Sequence, residues 1–491
     1  MDAEYYYATA QGLAEGKGFW QPFAWNYLDQ PESLPQPSHT YWMPLVSLLA
    51  AGGLKLGGGW WTARLPLWLA AACVPQLAAW MAGMLGGMDK EKLLAGVFAL
   101  LPGFYLAYLP TTDAFGLYMI LGSLAAIVGC GEGRARSRLL AYGLLAGLLH
   151  LTRADGILWL GGGFLLAAWR GRLLKGGWRE TALLALLCGT GYLLPMGAWY
   201  ARNIQEWGSL FPPGNSRTLW LTQYEDTFLF PADLLTAERW LAQGWAAHLQ
   251  AIWRALTTNL QTLLAVQGQV VLLPFAVLGL WQRRRNPLVR YGLLMLMLTF
   301  VIMTVVFPFA GTNGSYFHSG AAIQVLLWAG AAVGIHPAAV WYAQRRKLDT
   351  EKRIERFAIA LAIAVLVLMS AGLYLNRVAG DGVIQAGWND SVANYTAIDA
   401  ELARQGAQAG DRVMVNNPPG YFLASGRSCV VIPYGNAEMA RAAAQEYQVK
   451  YLIVEAANSG HLEALFEQPA DRPGFHYLTS IGTAQLYEFK E

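Results

Sequence analysis

Three carboxylates and three cationic side chains carry the chemistry open to this sequence: Asp2, Glu4 and Asp113, and Arg153, Arg202 and His318. A carboxylate can accept a proton from a hydroxyl or hold a cation. Arginine grips a phosphate through two parallel N–H bonds, and a cation beside a departing phosphate stabilises its charge. The residues stand in short polar segments. These are Asp2-Ala3-Glu4-Tyr5-Tyr6-Tyr7, Thr111-Thr112-Asp113-Ala114, Thr152-Arg153-Ala154-Asp155-Gly156, Tyr200-Ala201-Arg202-Asn203 and Gly314-Ser315-Tyr316-Phe317-His318. Each has a plainer reading. Asp2 can be a solvated terminal residue, and Asp113 can cap a helix starting at Ala114. Arg153 can pair with Asp155, Arg202 can snorkel to the lipid interface, and His318 can be an interfacial hydrogen-bonding residue. The aromatic group Phe19, Trp20, Phe23, Trp25, Tyr27, Tyr41 and Trp42 suits a lipid-interface belt or a surface on which sugars stack. Cys73, Cys130, Cys188 and Cys429 show no metal-ligand spacing, and no metal-ligand set or cofactor is expected.

The elements that must position these groups are membrane helices. Of 491 residues, 55% are hydrophobic and 14% charged, against roughly 25% charged in soluble domains. A net charge of +3 excludes the strongly basic surface of a nucleic-acid binder. Apolar runs occur at 63–87, 93–109, 114–131, 139–151, 156–169, 181–198, 261–281, 290–308, 319–341 and 356–375. They predict a polytopic α-helical membrane protein of about ten helices over 63–375. The runs 139–151 and 156–169 are short, and the polar turn at Thr152–Asp155 separates them. Just over half of the 35 Lys and Arg residues fall in short loops at 90–92, 134–138, 170–179, 283–290 and 345–356. The positive-inside rule puts those loops in the cytoplasm. It puts the first segment, 1–62 with its amphipathic helices, the long loop 199–260 and the C-terminal region outside. Residues 376–491 alternate helix-like stretches with β-type runs such as Arg412-Val413-Met414-Val415 and Tyr451-Leu452-Ile453-Val454, which predicts a small extracytoplasmic α/β domain. With both ends outside, a further helix is expected ahead of Met1.

On this topology the polar segments converge on one outer face, where acids and bases together suit transfer from a lipid-linked phosphate donor. The order of motifs resembles the GT-C glycosyltransferases, in the branch of protein O-mannosyltransferases and lipid A aminoarabinose transferases. The resemblance rests on Asp2 with Tyr5 and Tyr6, and on Pro37…Tyr41-Trp42-Met43-Pro44-Leu45 followed by Ala63-Arg64-Leu65-Pro66. It continues through Thr112-Asp113-Ala114, Leu151–Gly156 and Ala201-Arg202-Asn203…Gly208. The chain departs from the pattern in placing Ala3 before Glu4, and in His318 where relatives often carry Arg-Tyr. The resemblance implies an enzyme moving a sugar from a polyprenyl-phosphate donor to an acceptor (protein, lipid or glycan) at the outer face of the cell membrane. Asp2 would be the base, with Asp113 and Glu4 as further catalytic carboxylates. Arg153, Arg202, His318 and Tyr5 would bind substrate, and no metal is implied. The rivals are a transporter or flippase of a lipid-linked or small polar substrate, which would carry paired broken helices and an internal repeat, and a non-catalytic membrane scaffold.

Overall fold

A computed structural model describes residues 1–174, 176–379, 390–455 and 462–490. Lys175 of the third basic loop and residues 380–389, within the domain expected over 376–491, lie outside the described residues. The chain opens with helix α1 (Asp2–Ala14), whose first turn holds Asp2 and Glu4, the end of a helix that favours negative charge. Short strands β1 (Trp20–Gln21), β2 (Phe23–Ala24) and β3 (Gln36–Pro37) follow, then α2 (Leu45–Gly57).

The apolar bundle comprises α3 (Trp60–Ala72), α4 (Val74–Met84), α5 (Asp89–Leu100), α6 (Phe115–Cys130), α7 (Ala135–Thr152), α8 (Ile157–Leu173) and α9 (Gly177–Trp207). The outer segment after α9 folds into the short α10 (Pro213–Arg217) and α11 (Ala237–Ala242), then α12 (Gly244–Thr262). The bundle is completed by α13 (Leu273–Gln282), α14 (Pro287–Val301), the single turn α15 (Pro308–Ala310), α16 (Tyr316–Arg346) and α17 (Glu351–Tyr374). Helix occupies all ten predicted stretches. Among the described residues, five helices are long and apolar enough to cross a membrane: 60–84, 177–207, 287–306, 308–346 and 351–378. Those at the other five stretches are shorter or more polar, and α6 is almost wholly enclosed by its neighbours. Enclosure by protein is what lets a short helix persist at membrane depth.

Two expectations about individual runs have clear outcomes. The polar turn at 152–155 does separate two helices, because α7 stops at Thr152 and a 3-10 turn at Ala154–Gly156 leads into α8. The run 261–281 is not one helix. It passes through a π turn at Leu263–Gln267, then left-handed residues at Gln269 and Val270, before α13 begins. Helix α16 is the buried axis of the bundle. Its approach to α13 requires glycine, since a Cβ on Gly279 would lie 2.0 Å from the Gly330 carbonyl oxygen.

The C-terminal part contains α18 (Asp390–Arg404), β4 (Arg412–Val415), α19 (Pro418–Ser425), β5 (Cys429–Val431), α20 (Ala437–Glu446), β6 (Val449–Glu455), α21 (Glu463–Glu467), β7 (Phe475–Ile481) and β8 (Ala484–Phe489). It is the expected α/β unit, with one addition. The sheet order is β2-β5-β4-β6-β8-β7, so an N-terminal strand forms its edge. Strand β2 runs parallel to β5 with Phe23 opposite Cys429 and Ala24 opposite Val430. The Tyr447 hydroxyl donates to the Pro31 carbonyl at 2.8 Å, and Leu229 bridges to Tyr434. Tyr27, Leu34, Phe230, Val430 and Tyr447 share one apolar core. The first segment, the segment after α9 and the C-terminal unit therefore form one body on one face of the bundle.

Candidate active site

Helix periodicity decides which N-terminal residues reach the site. Residues four apart share a helix face, so Asp2 and Tyr6 point together and both line a cavity of about 700 Å³. Tyr5 and Thr9 take the adjacent face and are buried. The Tyr5 hydroxyl accepts the His39 N–H at 2.7 Å, and the Thr9 and Ser47 hydroxyls lie 2.8 Å apart. These contacts fix α1 against the segment before it turns into α2. The Thr112 hydroxyl donates to the Ala3 carbonyl at 2.6 Å, which holds the next residue, Asp113, beside Asp2.

His318 completes the group from the first turn of α16. Its ring stacks on Phe115 with centroids 4.1 Å apart. Its Nδ1 lies 2.9 Å from the Gly314 carbonyl. A carbonyl only accepts, so Nδ1 carries the hydrogen and Nε2 presents a lone pair. That Nε2 is buried without a hydrogen-bond partner, 3.5 Å from Asp2 Oδ2 and 3.6 Å from Asp113 Oδ1. Two carboxylates and a nitrogen lone pair facing one another require a shared proton or a cation. Burial and the neighbouring Asp113 charge push the Asp2 carboxyl above its ordinary range. Burial also acts to raise Asp113, but His318, the Ala114 N–H and Arg153 together hold it below.

Arg153 and Asp155 come from the α7–α8 turn and also line the cavity. Arg153 Nε donates to Asp155 Oδ1 at 2.9 Å, and Asp155 Oδ2 accepts the Tyr118 hydroxyl at 3.1 Å. The pair expected as the plain reading exists, and it exists inside the cavity. One wall is aromatic, with Trp25 and Trp42 stacked 3.9 Å apart and Tyr41 edge-on to Trp25. The segment 209–227 supplies another part of the wall, from Ser209 to Thr227. It is directed there by Gly208, whose φ of 66° ends α9. The volume falls within the range of sites that enclose drug-sized ligands.

No family model matches the sequence, and no curated protein matches it. Solved structures do. An archaeal oligosaccharyltransferase from Archaeoglobus fulgidus, in complex with Zn and sulfate, is similar at a TM-score of 0.57 and 14% identity, covering 99% of this chain and 69% of that one. The same enzyme with an inhibitory peptide and a dolichol-phosphate gives 0.55 at 13% identity, covering 92% of this chain, which spans 65% of that one. ArnT from Cupriavidus metallidurans, bound to undecaprenyl phosphate, gives 0.53 at 13% identity and covers 99% of this chain and 93% of that one. The chain shares its fold with these oligosaccharyltransferase and ArnT structures.

Within this fold, Asp2, Asp113, Arg153 and His318 gather as the sequence suggests, and three other candidates do not. Glu4 points to the C-terminal unit, accepting from Asn417 Nδ2 at 2.8 Å. Tyr5 is buried by its packing, as described above. Arg202 is absent from the cavity lining. Its guanidinium donates to the Ser38 and Phe19 carbonyls at 3.1 and 3.4 Å and lies over Trp199. It therefore pins the first segment to α9, which is neither phosphate contact nor snorkelling. Against the expectation of no metal-ligand set stands one grouping that could hold an ion: one ligand atom each from Asp2, Asp113 and His318 lie within 4.8 Å of one another. Spacing could not show this, since the three stand on distant segments. Sequence reasoning missed Tyr6, whose signal is its four-residue offset from Asp2. It also missed His150, a cavity residue one turn before Arg153 in an apolar helix. The aromatic belt reading fails for Trp25, Tyr41 and Trp42, which line the cavity.

Proposed function

We propose that this protein is a membrane glycosyltransferase that moves a sugar from a polyprenyl-phosphate donor to an acceptor at the extracytoplasmic face. The observation that carries the reading is the convergence of Asp2, Arg153 and His318, from three separate segments, on one cavity, with the buried Asp113 beside Asp2 and His318. Two of the similar structures are complexes, one with a dolichol-phosphate and one with undecaprenyl phosphate, which supports a donor of that class.

The residues divide the work as follows. Arg153 presents a guanidinium to the donor phosphate, with Asp155 fixing its orientation through Nε. The acceptor hydroxyl gives its proton to Asp2 as its oxygen bonds to the anomeric carbon. The bond from that carbon to the phosphate oxygen breaks, and the electron pair leaves with the lipid phosphate. Attack opposite the leaving group inverts the sugar carbon. A raised carboxyl is the more basic one, which suits Asp2 to accept the proton. Asp2, Asp113 and His318 also fit a divalent cation, one ligand atom each, and such an ion would offset the negative charge of the phosphate.

The test is reconstitution in lipid nanodiscs with a polyprenyl-phosphate sugar, following release of the lipid phosphate. Turnover that is lost in Asp2→Asn, with the protein still folded, supports the reading. Donor that neither binds nor turns over across a range of acceptors rejects it.

A further inference from the structure

The cavity is electrically divided. Its carboxylates and basic side chains, Asp2, His150, Arg153, Asp155 and His318, all lie on the membrane-helix side and α1. The wall made by residues 209–227 carries charged residues in its sequence, yet none of them lines the cavity. Arg217 turns away to the Leu28 carbonyl and Asp233. Asp226 is buried against Arg239, with contacts of 3.1 and 2.9 Å. Glu225 is exposed on the outer surface. What faces inward is neutral: Asn215, Tyr224 and Thr227 line the cavity together with Trp25, Tyr41 and Trp42. None of these six makes a side-chain hydrogen bond among the described residues, so their polar tips are available to a ligand. On the charged side, Asp155 is committed to Arg153, and Asp2 lies against His318.

We infer that the sugar carried by the donor is neutral, and that the wall of Asn215, Tyr224 and Thr227 selects it against uronic acids and amino sugars. The inference rests on the donor reading proposed above. Hydroxyls and an amide can both donate to and accept from sugar hydroxyls, while the aromatic faces take the apolar C–H face of the ring. A carboxylate or ammonium against this wall would lose water without gaining a partner of opposite charge, which is costly in an enclosed site.

Thermal-shift binding in nanodiscs tests it with four probes. These are polyprenyl phosphate alone, and the same lipid phosphate bearing a neutral hexose, a hexuronic acid or an amino sugar. The expected result is protection by the bare lipid phosphate, stronger protection by the neutral form, and apparent affinity for both charged forms weaker than the neutral by about tenfold or more. Asn215→Asp, at a partly exposed position that tolerates the change, places a carboxylate on the wall. It should reverse the order in favour of the amino sugar. If a charged form binds the wild type as well as the neutral one, and Asn215→Asp leaves the order unchanged, the neutral-wall inference falls while the donor reading stands. If bare polyprenyl phosphate gives no protection, the donor reading falls and takes this inference with it.

Discussion

At the residue scale, α1 separates two carboxylates that the sequence places two positions apart. Asp2 enters the cavity and Glu4 leaves it for Asn417. Asp2→Asn should lower turnover by roughly 100- to 10,000-fold, the usual reach of general-base assistance, while donor binding persists. Glu4→Gln keeps its partner and should leave the rate within about twofold; equal losses in the two variants would remove Asp2 from the role. The trio with His318 gives a second measurement. Mn²⁺ should bind the purified protein in an electron paramagnetic resonance titration, and His318→Ala and Asp113→Asn should abolish that binding while Glu4→Gln retains it. Absence of any bound ion would mean that the three groups share a proton instead. Arg202→Lys cannot span the Phe19 and Ser38 carbonyls as the guanidinium does, so the protein should melt earlier with donor affinity unchanged. A selective loss of donor affinity would return Arg202 to the phosphate. Asp2 was legible from its motif, and Tyr6 could have been read from the fixed helical period that sets it four residues further on. The partners of Arg202 were not, because Phe19 and Ser38 lie in an irregular segment whose path no period sets.

At the element scale, local pattern identified helices and strands but not who pairs with whom. The β-type runs of the C-terminal unit were readable from their alternating apolar residues. Strand β2 was not, because it is two residues long and acquires its identity only by pairing across the chain with β5. The break in 261–281 was hidden for a related reason: hydropathy stays high through the π turn, and hydropathy does not report backbone geometry. The pairing of β2 is open to a direct test. Phe23 and Cys429 are register partners, so Phe23→Cys sets two thiols side by side on neighbouring strands. After oxidation and proteolytic cleavage within 209–227, the N- and C-terminal fragments should stay linked until reductant is added. Fragments that separate without reductant would show that the first segment does not complete the sheet.

At the scale of the whole molecule, the helices that form the cavity share one polarity. Helix α7 runs from the basic segment at 134–138 to Arg153, and α9 from Arg179 to the wall that begins at Ser209. Helix α14 runs from Arg285 and Arg290 to Ile302, and α16 from His318 to Arg345 and Arg346. At 1.5 Å per residue, the 31 residues of α16 separate its two ends by about 46 Å, more than the roughly 30 Å of bilayer hydrocarbon. Cavity and basic loops therefore face opposite sides of a membrane. The shared sheet adds that the first segment and the C-terminal unit face the cavity side together, a link that hydropathy and charge could imply only by counting spans. The expected outcome follows for single cysteines placed in a background in which Cys73, the exposed native cysteine, is replaced by Ala. Lys17→Cys and Glu438→Cys, at exposed positions in the first segment and the C-terminal unit, should both react with a membrane-impermeant maleimide added outside intact cells. Arg285→Cys, exposed at the basic end, should react only after permeabilisation. Labelling of Lys17→Cys and Glu438→Cys from opposite sides would break the single-body arrangement. Labelling of both only after permeabilisation would keep that body intact but invert it, placing the sugar transfer in the cytoplasm.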